Sequence, residues 1–409
     1  MNTFDNKKLV FLIIGSLSAI FLLIIIIITQ ISSKRNNAIN SQNNNLNKNS
    51  TNRSSSQSVF NQRNTKYKSE KNKSVVDKKN YDENPSVVVF NRLSSLGKNE
   101  ISPKTNIKTI YHSGIICENN QCQNQPKDKQ LTIPFIWGAL QLYKITADKN
   151  LLSKIESDVN YIADQTLQPD FWHCKFLKEL SETERLKKVE NTFKKLCQET
   201  YLLFFKPVNE YSKNVDVNTF SFSEAKDEIE GKTVVTSSST VFLPENISDF
   251  IIFSSYVTDL VVKYQWFKNP NDLRLARGYF DSALKYYIKN KNNQNLVGLP
   301  LLTIGAFYLY DATQNENYYH LAFYLSNKAI TLNRSYVKNL LYICLLDEDL
   351  YQRTGSKIYA DDIKNILNHL QQNYYDSKMK LIYQSKSNNY AYYNALNNIL
   401  FSYFNAKYK

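Results

Sequence analysis

A thirteen-residue phrase occurs twice in this chain, as GALQLYKITADKN from Gly138 and as GAFYLYDATQNEN from Gly305, 167 positions apart and identical at six of thirteen places. Gly138 meets Gly305, Ala139 meets Ala306, Leu142 meets Leu309, Tyr143 meets Tyr310, Thr146 meets Thr313 and Asn150 meets Asn317. Ala139, Leu142, Tyr143 and Thr146 stand at i, i+3, i+4 and i+7, one face of an α-helix. A polar stretch follows whose Asp and Asn side chains suit the start of another helix. A second apolar stripe comes next: Leu151, Leu152, Ile155, Val159 and Ile162 in the first copy, Tyr318, Leu321, Ala322, Leu325 and Ala329 in the second. Each unit predicts a helix, a tight turn and a helix running back.

Further copies set a period. Leu350, Tyr351 and Thr354 repeat the spacing, with Gly355 opening the turn; Tyr264, Asn269, Asn271 and Ala276 align with Tyr310, Asn315, Asn317 and Ala322. The steps from Tyr264 to Tyr310 and on to Tyr351 are 46 and 41 residues, the period of a two-helix array. A degenerate hairpin is expected over residues 170–206 and an insertion over about 207–245, where KTVVTSSSTVF reads as a β-hairpin. DSKMKLIYQS reads as a short excursion, PSVVVF at Pro85 as a strand, and NYAYYNALNNILFSYF as a last, unpaired helix. That helix carries Tyr392, Leu396, Ile399, Leu400 and Tyr403, too apolar for a solvent-facing cap. Closing the array into a ring gives it a partner. The fold expected is mainly α: a toroid of about five to six helical hairpins over residues 85–409.

Three segments precede it. Residues 1–8 form a short tail. Leu9 to Thr29 is an apolar run of 21 residues, about 32 Å long as a helix and enough to span a hydrocarbon core of about 30 Å. It exceeds the core of a cleaved signal peptide, and QISSKRNNAIN offers no small-residue cleavage pattern, so a single-pass anchor in the cell membrane is expected. Flanking lysines and arginines nearly tie on the two sides and lean slightly against export; the short tail and the cysteine spacing point to a C-terminal domain outside the cytoplasm. Residues 31–84, rich in Asn, Ser and Lys, have too little apolar surface to offset the entropy of ordering and read as a disordered linker. The net charge of +14 gathers here: residues 31–80 hold eleven Lys or Arg against two acids, a net of +9, and residues 81–409 hold only +4. A nucleic-acid domain carries its basic surface on the folded part, so that class of partner is excluded and a membrane-side neighbour is favoured.

The pattern Leu-Tyr-x-x-Thr followed by a polar turn, carried by LYKITADKNLL, LYDATQNENYYHLA and LYQRTGSKIYADDI, resembles that of the six-hairpin glycosidase-like superfamily of (α/α) toroids. The resemblance covers roughly residues 130–405 and concerns architecture. It implies acids at the mouth of the ring, near the starts of inner helices. Asp249, 15 residues before Tyr264, is the position that best matches the acid of relatives acting on unsaturated uronic acids, although Ser248 stands where they usually have His. The alternative for Asp249 is a first-turn acid favoured by the helix dipole. Asp347 aligns with Ala139 and Ala306 on the packed stripe, where a lone charge is costly; it faces the axial cavity, pairs with a neighbour such as Arg353, or belongs with Glu348 and Asp349 to a solvated face. Asp249 and Asp347 are the candidate catalytic acids, but an axial offset of roughly 16 Å exceeds the carboxyl spacing of a glycosidase pair.

Trp137, Trp172 and Tyr256 are candidates for stacking on sugar rings, against the alternative that they fill the core. Cys117 and Cys122 flank a short loop, and Cys174 and Cys197 lie on the two arms of the degenerate hairpin. Each pair is a disulfide candidate, with free thiols as the alternative, and Cys344 is left as a buried thiol. No zinc spacing, phosphate loop or nucleophile elbow occurs, and no cofactor or metal is expected. The sequence points to a membrane-anchored extracytoplasmic toroid that binds or cleaves cell-envelope glycan. The alternative is a non-catalytic scaffold that binds another envelope protein.

Overall fold

The structure, a computed structural model, describes residues 85–95, 111–119, 121–125, 127–128, 131–162, 171–199, 206–232, 243–332, 334–387 and 390–409. The expected tail, membrane span and linker lie outside them. Among the described residues no helix is long and apolar enough to cross a membrane.

The chain runs α1 (Pro85–Ser95), β1 (Tyr111–His112), β2 (Gly114–Glu118), β3 (Gln121–Asn124), β4 (Lys127–Asp128), α2 (Thr132–Thr146), α3 (Lys149–Ile162), α4 (His173–Ser181), a 3-10 stretch at Glu184–Val189 and α5 (Glu190–Glu199). It continues through α6 (Lys206–Ser212), α7 (Phe222–Glu230), α8 (Ile247–Phe267), α9 (Pro270–Asn290), α10 (Leu299–Thr313), α11 (Glu316–Ala329), α12 (Val337–Thr354) and α13 (Lys357–Asn373). The strands β5 (Tyr375–Asp376), β6 (Leu381–Ile382), β7 (Ser385–Ser387) and β8 (Tyr390–Asn394) lead into α14 (Ala395–Tyr408).

Two kinds of helix alternate. In α2 the residues from Thr132 to Leu140 are buried without a break, and in α10 those from Leu299 to Phe307. A helix buried all round belongs inside a larger assembly. In α13 only Ile363, Ile366, Leu367 and Leu370 are buried, the single stripe of a helix with one face in water. The buried helices form a closed inner circle in which α2 packs on α4, α4 on α8, α8 on α10, α10 on α12, α12 on α14 and α14 back on α2. Outside them α3, α5, α9, α11 and α13 pack on α2, α4, α8, α10 and α12, and α1 packs on α14. Among the described residues the result is a toroid of six helical hairpins.

The sixth hairpin corrects two expectations. PSVVVF is helical rather than a strand, and α14 is not unpaired: the first described helix and the last are partners. Asn405 Nδ2 donates to Ser86 Oγ at 2.8 Å, and Phe90, fully buried, reaches Phe135 on α2 with ring centroids 5.9 Å apart. A sheet ordered β3-β2-β8-β7 seals the same seam, pairing Ile116 with Tyr392 and Cys117 with Ala391.

The repeated phrase is the turn from inner to outer helix. Thr146, Thr313 and Thr354 donate from Oγ1 to the carbonyls of Leu142, Leu309 and Leu350 at 2.7–2.8 Å. The next residue, Ala147, Gln314 or Gly355, turns left-handed (φ 57°, 58° and 69°), and its N–H returns to the carbonyl of Tyr143, Tyr310 or Tyr351. Asp148, Asn315 and, in the fourth copy, Asn269 then accept the N–H two residues on and start the outer helix.

The degenerate hairpin is α4 and α5, joined by a disulfide between Cys174 and Cys197; Cys117 and Cys122 are joined across β2 and β3, and Cys344 is a buried thiol. The insertion supplies α6 and α7, which pack on α9 and α11; most of KTVVTSSSTVF lies outside the described residues. DSKMKLIYQS forms the antiparallel pair β5–β6.

Candidate functional site

All six inner helices run the same way, so the ring has two unlike ends. At the end where they begin, the axis is filled. Phe171 stacks on Tyr342 with centroids 5.4 Å apart and planes 6° from parallel, and on Trp172 at 4.8 Å. Above this floor, towards the end where the tight turns lie, a cavity of about 270 Å³ opens between α2, α4, α10, α12 and α14. Trp137, Trp172, Tyr308 and Tyr403 supply aromatic surface, and Lys175, Glu179, Glu348 and Asp349 supply charge.

Two carboxylates are held by aromatic donors. Trp137 Nε1 donates to Glu179 Oε2 at 2.7 Å, Gln141 Nε2 donates to the same oxygen at 3.3 Å, and Lys175 pairs with Oε1. Burial alone would raise the Glu179 carboxyl; the Lys175 ammonium and the Trp137 N–H hold it below its ordinary value. Across the cavity Tyr403 Oη and Lys407 both donate to Glu348 Oε1. The Trp137 and Tyr403 rings meet edge-on at 5.0 Å, so the two carboxylates sit on one rigid aromatic bracket. Lys175 also lies over the Trp172 ring, 4.9 Å from its centroid, a cation–π contact. Asp349 is pushed up by burial and pulled down by Arg353, whose Nε donates to it at 2.6 Å.

Trp172 is in a left-handed conformation (φ 49°, ψ 41°) at the start of α4, unusual for a bulky residue. Asp259 on α8 stabilises this entry: its Oδ1 accepts the Lys175 N–H at 2.8 Å, and burial pushes its carboxyl up to about 7 against the N–H groups of Lys175, Cys174 and His173. His173 is buried with its imidazole driven down to about 4 by desolvation.

Of the residues singled out from sequence, Trp137 and Trp172 line the cavity and the other three do not. Asp249 is half-buried in the first turn of α8, where its carboxylate accepts from the Glu245 N–H and from Asn246 Nδ2 while its own N–H goes to Asn246. Tyr256 packs edge-on against Tyr279 at 5.4 Å. Asp347 is fully buried, faces the outer helix rather than the axis, and is set against Asp362, which Arg334 grips with two hydrogen bonds. Arg353 does not pair with Asp347: it binds Asp349 and, bidentately, Asp311.

Glu179, Glu348, Tyr308 and Tyr403 were missed, although the repeat carries a signal for the wall. Trp137, Ile304 and Leu345 stand six places before Tyr143, Tyr310 and Tyr351; Gln141, Tyr308 and Asp349 stand two before; all six line the cavity. Asp347 stands four before, on the packed side. Among the described residues no group of three His, Cys, Asp or Glu is placed to hold a metal ion.

No family model matches the chain, and no curated protein does. Among solved structures it is similar to an unsaturated glucuronyl hydrolase specific for heparin (12% identity, 79% of this chain and 94% of that one, TM-score 0.49). It is also similar to an inactive variant of an alpha-1,6-mannanase of Salegentibacter sp. HEL1_6 in complex with alpha-1,6-mannotriose (10% identity, 80% and 99%, TM-score 0.47). A third likeness is to a cellobiose 2-epimerase from Bacillus thermoamylovorans (9% identity, 78% and 95%, TM-score 0.45).

Proposed function

We propose that this protein binds the end of a glycan chain in its axial cavity, outside the cytoplasm, held to the cell membrane by residues 9–29. The observation that carries the reading is the convergence of four aromatic rings and two bracketed carboxylates on one small cavity. Aromatic edges give the C–H groups of a pyranose apolar contact, since Trp137 is stacked on Phe176, and Trp172 and Tyr403 lie under Lys175 and Lys407; fixed carboxylates accept its hydroxyls. At about 270 Å³ the space lies just under the roughly 300–1,000 Å³ of small-molecule sites, so it suits a terminal unit rather than a polymer lying across the ring. The two disulfides support an oxidising compartment.

Two of the chain's three tryptophans line the cavity, so intrinsic fluorescence reports on it. Titration with a panel of oligosaccharides should change that fluorescence saturably, and Glu348→Gln should weaken binding about tenfold. A panel without any saturable change removes the reading. Thiol labelling of intact cells, before and after reduction, tests the compartment. Cleavage is a second reading, favoured by the two carboxyls, Glu179 and Asp349, that line one cavity from different helices, since hydrolysis uses a pair of carboxyls. Glu179→Gln should then abolish turnover while saccharide is still bound, and turnover by that variant removes the reading.

A further inference from the structure

Among the described residues, every carboxylate that lines the cavity already has a cation of its own. Glu179 pairs with Lys175, Glu348 with Lys407, Asp349 with Arg353 at 2.6 Å and Glu182 with Lys178 at 2.5 Å. The lining lysines Lys175 and Lys407 are engaged in the same pairs, Lys175 half-buried and Lys407 exposed. Lys175 is further placed over Trp172, and Lys407 over Tyr403 at 5.3 Å. Arg353 is engaged through all three of its nitrogens, binding Asp349 through Nε and Asp311 through both terminal nitrogens. The remaining lining cation, Lys144, is exposed at the rim, where water and salt screen it.

We infer that the cavity selects uncharged sugar units and rejects both uronic acids and amino sugars. This rests on the glycan-binding reading above. A uronate entering beside Glu179 and Glu348 meets two carboxylates whose counter-charges are already used. An ammonium sugar meets Lys175 and Lys407 on the aromatic faces and acids it would itself need. Either ligand has to break an internal pair and leave a desolvated charge behind, which costs more than the new contact returns. A hydroxyl breaks nothing: it donates to the second lone pair of a carboxylate and accepts from a lysine or from the amides of Gln141 and Gln352, which also line the wall. The pairs act as a filter on charge, and the aromatic rings act on shape.

The test uses three disaccharides of one linkage, ending in an uncharged hexose, in the corresponding uronic acid and in the corresponding 2-amino sugar, titrated into the protein at physiological salt. The uncharged one should bind about tenfold tighter than either charged one. Lys407→Met releases Glu348, whose carboxylate still accepts from Tyr403 Oη and from Tyr408 Oη, and the lysine side chain it removes is 37% exposed. This variant should move the preference about tenfold towards the amino sugar. If a charged disaccharide binds the unaltered protein as tightly as the uncharged one, or if Lys407→Met leaves the order unchanged, the filter is overturned and glycan binding stands. If none of the three binds, both readings fall.

Discussion

At Asp347 the folded chain holds a proton that the unfolded chain gives up. Burial first, and then the neighbouring Asp362, push its carboxyl up to about 8, with Arg334 pulling the other way; in the unfolded chain an Asp titrates near 3.9. The folded form therefore binds more protons across that window, and stability falls as pH rises from about 4 to about 8 and is level above. Buried neutral His173 acts at the acid end, costing stability as pH falls below about 6.5. Asp347→Asn isolates the first effect. In denaturant titrations it should match the unaltered protein in unfolding free energy near pH 4 and exceed it at pH 8.5 by on the order of 2–4 kcal/mol. Equal pH slopes for the two proteins would show that Asp347 is ionised throughout. Asp249, by contrast, serves the helix start, so Asp249→Ala should cost about 1 kcal/mol of stability and leave the saccharide titration unchanged. Both acids stand out in the sequence as charges near apolar helices. What a single sequence does not reveal is rotation: Asp347 and Glu348 are adjacent in the chain and about 100° apart round the helix, so one meets an outer helix and the other the axis.

The hairpin was legible because its turn is written in residues with one job each. The Thr closes the last turn of the inner helix, the left-handed residue ends it, and Asp or Asn starts the next. The shared glycine at the head of the phrase has a job too. A Cβ at Gly138 would lie 2.7 Å from Ile399 Cγ2, and one at Gly305 would lie 2.8 Å from Val257 Cγ1. Both glycines are where a neighbouring inner helix presses closest. Gly138→Ala and Gly305→Ala should each lose about 1–3 kcal/mol by overpacking, outweighing the roughly 1 kcal/mol that alanine gains in a helix. Gly355→Ala has nothing within 4 Å and should lose only about 1 kcal/mol through its positive φ. Thermal denaturation ranks the three, and equal losses would mean the inner circle is looser than described. The α1 segment was misread because Val87, Val88 and Val89 favour a strand on propensity alone. Packing against α14 and α2 overrides that preference, and the partners lie about 300 residues further on or on the next hairpin, beyond any local pattern. The cavity wall was half legible: the aromatic residues drew notice as types, but the acids that Trp137 and Tyr403 hold become recognisable only when separate helices converge.

For the molecule as a whole, the argument turns on closure. A ring without a seam partner for α14 would expose one face of Ile399, Leu400, Phe401 and Phe404, all fully buried here. It would also loosen Tyr403 and Lys407, which form one wall of the cavity. The helix that prevents this comes from the opposite end of the described chain. Val87, Val89 and Phe90 on α1 are buried against the seam, each contributing about 1.5–3 kcal/mol if fully removed from water, and the Ser86–Asn405 hydrogen bond fixes their register. A chain beginning at residue 96 should therefore lose several kcal/mol of stability and weaken saccharide binding through the loss of the Tyr403–Glu348 bracket, although no described residue of α1 lines the cavity. Phe90→Ala is the milder form, expected to cost about 3–5 kcal/mol while keeping the backbone of α1 in place. Adding a peptide of residues 85–95 back to the shortened chain should restore both stability and binding in proportion to occupancy. If the shortened chain binds saccharide as tightly as the full one, the cavity does not depend on a closed ring, and the link between closure and recognition is lost.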